Sequence, residues 1–214
     1  MEQYLEADSI FKVYGRKTIL SDVYLRCEIG DKIAIWGRNG CGKSALFRII
    51  FGSELAQRKF VRINGKVMKL RAYHSGLIGY LPQFDYLPQS TRVSSLLKKI
   101  DLSVYGELIV HMIERIWRNK VKDLSCGERR LVEVVHLLSS DKPFIILDEP
   151  FTGISPIVSE EICKAIDHFS ATKGFIITDH IFHMVEKLAN KHFLLEDGYL
   201  RPVKSLEELK GHYL

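Results

Sequence analysis

The sequence Gly37-Arg38-Asn39-Gly40-Cys41-Gly42-Lys43-Ser44 has the residue types and spacing that cradle the phosphates of a nucleotide. It follows a short apolar run and precedes a helical pattern. Glycines let backbone N–H groups converge on phosphate oxygens, and the helix N-terminus adds a favourable dipole. In that chemistry Lys43 supplies charge to the β- and γ-phosphates, and the Ser44 hydroxyl binds Mg²⁺. A second cluster ends the run Phe144-Ile145-Ile146-Leu147-Asp148-Glu149-Pro150. Buried behind a phosphate loop, such adjacent acids divide the work. Asp148 reaches Mg²⁺ through water, and Glu149 polarises an attacking water as general base. In isolation the same pair reads as a solvated acidic turn. A third segment, Leu124-Ser125-Cys126-Gly127-Glu128, is locally a capping box, with Ser125 at the cap and Glu128 reaching back.

The flanking elements place these groups. Tyr4 to Val13, Val23 to Glu28 and Lys32 to Trp36 read as strands, and Ser44 to Phe51 as a helix. Residues 60–83 return to short strands with turns at Asn64-Gly65 and Ser75-Gly76. Residues 92–120 carry helical spacing, and a further helix runs from Glu128 to Leu138. Strand and helix then alternate: Phe144–Leu147, Val158–Phe169, Phe175–Thr178, Phe182–Leu188, and strands at Lys191–Leu195 and Tyr199–Leu200. Such alternation predicts an α/β fold with a mainly parallel sheet covered on both faces. The helical stretch 92–138 interrupts it and is expected to form a lobe.

Bulk composition excludes several classes. With 214 residues, 46% hydrophobic and 27% charged, the chain is neither disordered nor fibrous. No apolar stretch approaches the ~20 residues of a spanning helix. Met1-Glu2-Gln3-Tyr4-Leu5-Glu6 lacks the basic and apolar order of a signal peptide, so a cytoplasmic location is expected. The cysteines at 27, 41, 126 and 163 form no CxxC pair and read as reduced thiols. Cys41, beside Lys43 and a helix start, is expected to have a lowered pKa. The net charge of +5 is spread along the chain and reads as solvated surface, so no nucleic-acid partner is expected.

Together these segments resemble the ABC (ATP-binding cassette) ATPase family, and the resemblance covers nearly the whole chain. Glu28 to Gly37 is similar to that family's lead-in to the Walker A loop, and Leu124–Glu128 to its LSGGE signature. Gln83 in Gly79-Tyr80-Leu81-Pro82-Gln83 resembles the Q-loop glutamine. His180 in Thr178-Asp179-His180 resembles the H-loop histidine, and Tyr14 in Lys12-Val13-Tyr14-Gly15 the aromatic that stacks on adenine. All stand in family order.

The resemblance implies a P-loop NTPase core with a mainly parallel sheet, an antiparallel β subdomain and an inserted α-helical lobe. Residues 1–83 and 140–214 would be the core and 84–139 the lobe. It implies ATP and Mg²⁺ as ligands. ATP would lie on Tyr14 and on residues Gly37 through Ala45, with Ser44, Gln83 and Asp148 toward Mg²⁺ and Glu149, Gln83 and His180 at the hydrolytic centre. It further implies a head-to-tail dimer, of one chain or of two related ones. There Ser125, Cys126, Gly127 and Glu128 of one subunit would face the ATP of the other.

Three positions depart from the family's pattern. Ala45 stands where a threonine is common, removing one hydroxyl worth ~1 kcal/mol to the nucleotide. Cys126 replaces the middle glycine of the signature, where φ > 0 and close approach favour glycine. Ser155 replaces an aspartate that links the two sites. The resemblance implies a transporter subunit on the inner face of the cell membrane, energising a separate integral membrane protein. The alternatives are a soluble single-cassette ATPase of the iron–sulfur assembly type and a slow nucleotide switch.

Overall fold

The computed structural model describes residues 3–68, 71–203, 205 and 207–209. Met1 and Glu2, which begin the segment read for a signal peptide, lie outside them. The strands are β1 (Tyr4–Tyr14), β2 (Lys17–Glu28), β3 (Lys32–Trp36), β4 (Arg58–Ile63), β5 (Lys66–Val67), β6 (Ile78–Leu81), β7 (Phe144–Asp148), β8 (Gly174–Thr178), β9 (Lys191–Glu196) and β10 (Tyr199–Pro202). The α-helices are α1 (Lys43–Phe51), α2 (Val93–Leu97), α3 (Glu107–Ile116), α4 (Cys126–Leu138), α5 (Pro156–Ser170) and α6 (Phe182–Leu188).

Two sheets result. An antiparallel one has the order β2-β1-β4-β5, and a six-stranded one the order β10-β9-β3-β8-β7-β6. In the second, β9, β3, β8, β7 and β6 run parallel, and β10 alone turns back, against β9. The central parallel strands β3, β7 and β8 are mostly apolar because both faces are covered. Their side chains still sort by the two-residue period of a strand. Ala34, Trp36, Ile145, Leu147, Phe175 and Ile177 join one apolar cluster, which takes in the inward residues of α2 to α6. Ile33, Ile35, Phe144, Ile146 and Ile176 join another, shared with α1 and the antiparallel sheet.

Local sequence errs mainly at element ends. β2 begins at Lys17, six residues before the start that alternation suggests. The pairing of β1 with β2 shifts register between Ala7 and Ile10, and again near Lys12. Ser9 and Asp22 take left-handed φ values of 52° and 55°, so the simple alternation is broken there. The helical spacing over 92–120 is divided into α2 and α3. Asp101 breaks it by accepting a hydrogen bond from Ser103 N (2.9 Å), closing a short 3₁₀ turn. α5 starts at Pro156, whose fixed φ suits the first helical position, rather than at Val158.

Candidate functional site

Parallel neighbours carry their connecting loops out at one edge, and four such loops meet here. β3, β8, β7 and β6 are consecutive in the sheet. Their C-terminal ends release Gly37, Asp179, Glu149 and Pro82 respectively. The open crevice at that edge is where α/β sheets bind ligands. Tyr14, Asn39, Gly40, Gly42, Lys43, Ser44, Ala45, Gln83, Asp148, Glu149 and His180 line one pocket of about 370 Å³ there, with Ile19 and Arg48.

The loop after β3 has the backbone that a phosphate cradle needs. Gly42 has φ 115°, and a Cβ on it would lie 2.8 Å from Ile19 Cγ2, so only glycine fits. The Lys43 ammonium arches back over the loop, donating to Gly37 O (2.6 Å) and Arg38 O (3.2 Å). Arg38 and Asn39 are exposed at the rim. Ala45 offers the pocket its backbone and Cβ alone.

Below the loop, Ser44 Oγ donates to Asp148 Oδ1 (3.2 Å), and Tyr80 Oη donates to Asp148 Oδ2 (3.1 Å). Burial pushes the Asp148 carboxyl above its ordinary pKa and Glu149 adds to this, while the Ser44 and Tyr80 hydrogen bonds oppose both. A cation beside Asp148 would offset that burial. Ser44 and Asp148 present hard oxygen donors side by side, the donor set that Mg²⁺ takes.

Glu149 lines the same pocket as Lys43 and has φ 56°, rare outside glycine. Its Oε1 accepts from Gln83 Nε2 (3.0 Å) and contacts His180 Nε2 at 2.8 Å; Thr152 Oγ1 donates to Oε2 (3.3 Å). Tyr14 closes the far side. Its hydroxyl donates to Glu54, and the Lys12 ammonium sits 4.6 Å from its ring centroid. Glu54 also binds Lys12 Nζ (2.7 Å) and Arg48 Nε (2.9 Å), so the ring is braced from below.

Ser125, Cys126, Gly127 and Glu128 are not in this pocket. They form a separate hollow with Gly153, Ile154 and Ser155. The capping box is complete: Glu128 N donates to Ser125 Oγ (3.3 Å), and Ser125 N donates to Glu128 Oε2 (3.0 Å). A Cβ on Gly127 would meet Gly153 O at 2.3 Å, so the signature packs against the loop holding Ser155. Cys126 is the first residue of α4 and has no left-handed φ. The expected backbone strain at this cysteine is therefore absent, and only the bulk of its thiol distinguishes it. The expected low pKa of Cys41 is also overturned. Burial outweighs Lys43 and pushes the thiol above its ordinary value.

Ser125→Ala is expected to reduce folding stability by ~1 kcal/mol in urea denaturation, with an unchanged slope, as for other lost N-caps. The cap also has a pH sign. The Ser125 N–H bond holds Glu128 below its ordinary pKa. Its contribution is full above the unfolded glutamate value and is lost as pH falls through the depressed one. The difference in stability between native and Glu128→Gln chains should shrink on acidification through that window.

Two groups that local patterns do not mark hold the site from behind. Asp179 accepts from Phe151 N (3.0 Å) and Ile181 N (3.0 Å), tying the loop after β7 to the loop after β8. Arg130, on the buried stripe of α4, donates to the carbonyls of Pro82, Asp148 and Glu149. Two opposite charges three residues apart, Arg130 and Glu133, among the apolar residues of α4 are the one signal of it that the sequence offers.

A P-loop between a parallel strand and a helix, with paired acids on a nearby strand, defines a nucleotide-hydrolysing site, and comparison with known proteins gives its family. The sequence pattern of the family described as ABC transporter matches residues 20–152. The lipopolysaccharide export system ATP-binding protein LptB of Acidithiobacillus ferridurans is 30% identical over 227 residues, covering 98% of this chain and 93% of that protein. The arabinose import ATP-binding protein AraG of Rhizobium meliloti is 29% identical over 218 residues, covering 94% of this chain and 43% of that protein. A solved ATP-binding subunit of an ABC transporter superposes with a TM-score of 0.79 at 21% identity, covering 98% of this chain and 92% of that one. The chain belongs to the ABC transporter family. It is an ATPase with the α/β, P-loop fold of that family's cassettes.

Proposed function

We propose that this chain binds ATP·Mg²⁺ in the Tyr14–His180 pocket, hydrolyses it within a head-to-tail dimer, and thereby energises transport by a separate membrane protein. The observation that carries the reading is the convergence of Gln83, His180 and Thr152 on Glu149, in the pocket that Lys43 also lines. On this reading Tyr14 stacks on adenine, residues 37–45 hold the phosphates, and residues 84–139 form the helical lobe. Ser44 and Asp148 hold Mg²⁺ with Gln83 nearby. When bound, the ion neutralises charge that develops between the β- and γ-phosphates.

The protein's own steps follow from the hydrogen bonds. Lys43 exchanges the Gly37 and Arg38 carbonyls for phosphate oxygens. His180 turns from Glu149 to the γ-phosphate, and Gln83 leaves Glu149 and would help Ser44 and Asp148 hold the ion. Both release Glu149 Oε1 to accept a proton from the attacking water. Ser125 can give up its bond to Glu128 Oε2 (2.9 Å) and donate across the dimer. The relatives named for export and for import support transport and leave its direction open. Among the described residues no helix is long and apolar enough to cross a membrane. On this reading the chain therefore works at the inner face of the membrane with an integral membrane subunit.

Maleimide labelling tests the dimer. Cys126 is exposed and Cys41 partly buried, so Cys126 reacts first without nucleotide. In Glu149→Gln with saturating ATP·Mg²⁺, Cys126 labelling should slow as the solution mass doubles. Unchanged labelling at a monomer mass would overturn the dimer. For the partner, the chain should co-purify from detergent extracts with a membrane protein that accelerates its ATP turnover.

A further inference from the structure

α4 carries an ion pair where an apolar residue would pack. Arg130 and Glu133 lie one turn apart, and their side chains are 6% and 0% exposed. Such buried pairs are weak sources of stability, because desolvation offsets most of their attraction. The Nε of Arg130 is buried and has no hydrogen-bond partner among the described residues, which adds to that burden. The attraction within the pair is therefore not its main contribution; the backbone groups it satisfies are.

What the pair holds is specific. Arg130 Nη2 donates to Asp148 O (2.6 Å) and Glu149 O (2.9 Å). These carbonyls belong to the peptide planes on either side of the Glu149 Cα. Fixing both planes fixes φ and ψ of Glu149, whose left-handed φ requires such external support. Arg130 Nη1 donates to Pro82 O (2.8 Å) and to Glu133 Oε2 (3.2 Å). Glu133 Oε1 in turn accepts from Tyr86 N (3.0 Å). Both flanks of Gln83 are therefore anchored to the same turn of α4, and the N-terminus of α4 carries Ser125 and Cys126.

We infer that Arg130, supported by Glu133, is a positioning residue. It sets the carboxylate of Glu149 for its work as a base and ties that setting to the loop of Gln83 and to the signature helix. This inference rests on the proposed role of Glu149. A planar guanidinium holds the Pro82 carbonyl and Glu133 on one nitrogen and the Asp148 and Glu149 carbonyls on another; a lysine's donors all lie on one atom and cannot span both sets. A base displaced by about 1 Å loses on the order of 10²-fold in rate.

The test is steady-state ATP turnover with fluorescent-nucleotide affinity for the native chain and three variants: Arg130→Lys, Glu149→Gln, and both together. Arg130→Lys is expected to lower kcat ~10–100-fold with KM and nucleotide affinity within about threefold of native. In the Glu149→Gln background it should give no further loss, because the group through which it acts is gone. The paired variant Arg130→Met with Glu133→Leu restores an apolar interior. It is expected to stay folded but to melt below native, because the Pro82, Asp148 and Glu149 carbonyls and Tyr86 N lose their partners, and to keep the kcat defect. The inference is overturned if Arg130→Lys turns over within twofold of native, if its loss multiplies that of Glu149→Gln, or if the folded paired variant has native kcat. Should Arg130→Lys not fold, the paired variant alone decides. A native rate in Glu149→Gln itself would instead sink the proposed role of Glu149.

Discussion

Glu149→Gln is expected to lower ATP turnover ~10²–10⁴-fold while nucleotide affinity stays near native. The substitution is nearly isosteric. Its amide can still accept from Gln83 and His180, which contact Glu149 Oε1 at 3.0 and 2.8 Å, so the loop geometry survives. What is lost is the capacity to take a proton from water. The backbone at this position is held by Arg130 and by the bond from Glu149 N to Thr178 O (2.8 Å), both independent of the side chain. A single-turnover measurement separates the effect from product release. Equal rates in native and variant chains would remove Glu149 as the base and favour a slow nucleotide switch.

Lys43→Ala should weaken ATP binding about 10–150-fold, the equivalent of ~1.5–3 kcal/mol for hydrogen bonds to a charged group. Folding stability should fall by no more than ~1 kcal/mol. The lysine's acceptors in this structure are the carbonyls of Gly37 and Arg38; Arg38 is exposed, so water replaces the ammonium there, and only the bond to the buried Gly37 is lost. Titration with a fluorescent ATP analogue at two salt concentrations gives the affinity, and a urea melt gives the stability. The salt dependence should also diminish in the variant, since one phosphate contact by a cation is gone. Lys43→Arg should rescue little, because its fork does not fit an ammonium's place between two carbonyls and the phosphates. Native affinity in Lys43→Ala would mean that the backbone of residues 37–45 does the binding unaided.

Much of this site is legible in the amino-acid sequence, for different reasons in different places. Gly37 to Ser44 is local in sequence, and its chemistry is carried by backbone N–H groups and one helix end. Asp148 and Glu149 are legible because an apolar run delivers them to a strand's end. Gln83, His180 and Tyr14 are single residues whose patterns mean nothing alone; only the order of the whole set makes them readable. Arg130, Asp179 and Glu54 are not readable, because their partners lie far away in sequence: Arg130 bonds to residues 82, 148 and 149, Asp179 to 151, and Glu54 to 12 and 14. Cys41 is the case where a local rule points the wrong way. Its neighbours argue for a low pKa, and burial by chain far from it reverses the sign.

The amino-acid sequence by itself determined the phosphate loop, the acid pair, the capping box at Ser125 and the alternation that makes a parallel sheet. Each depends on contacts within a few residues or on a repeating period. The tertiary structure decided which loops share an edge. β3, β8, β7 and β6 become neighbours in an order unlike their order in the chain, and this alone sets Lys43, His180, Glu149 and Gln83 around one pocket. It also decided that the signature residues stand apart from that pocket, beside Ser155. Strand order follows from packing two apolar faces at once, a property of the whole chain that no local segment contains.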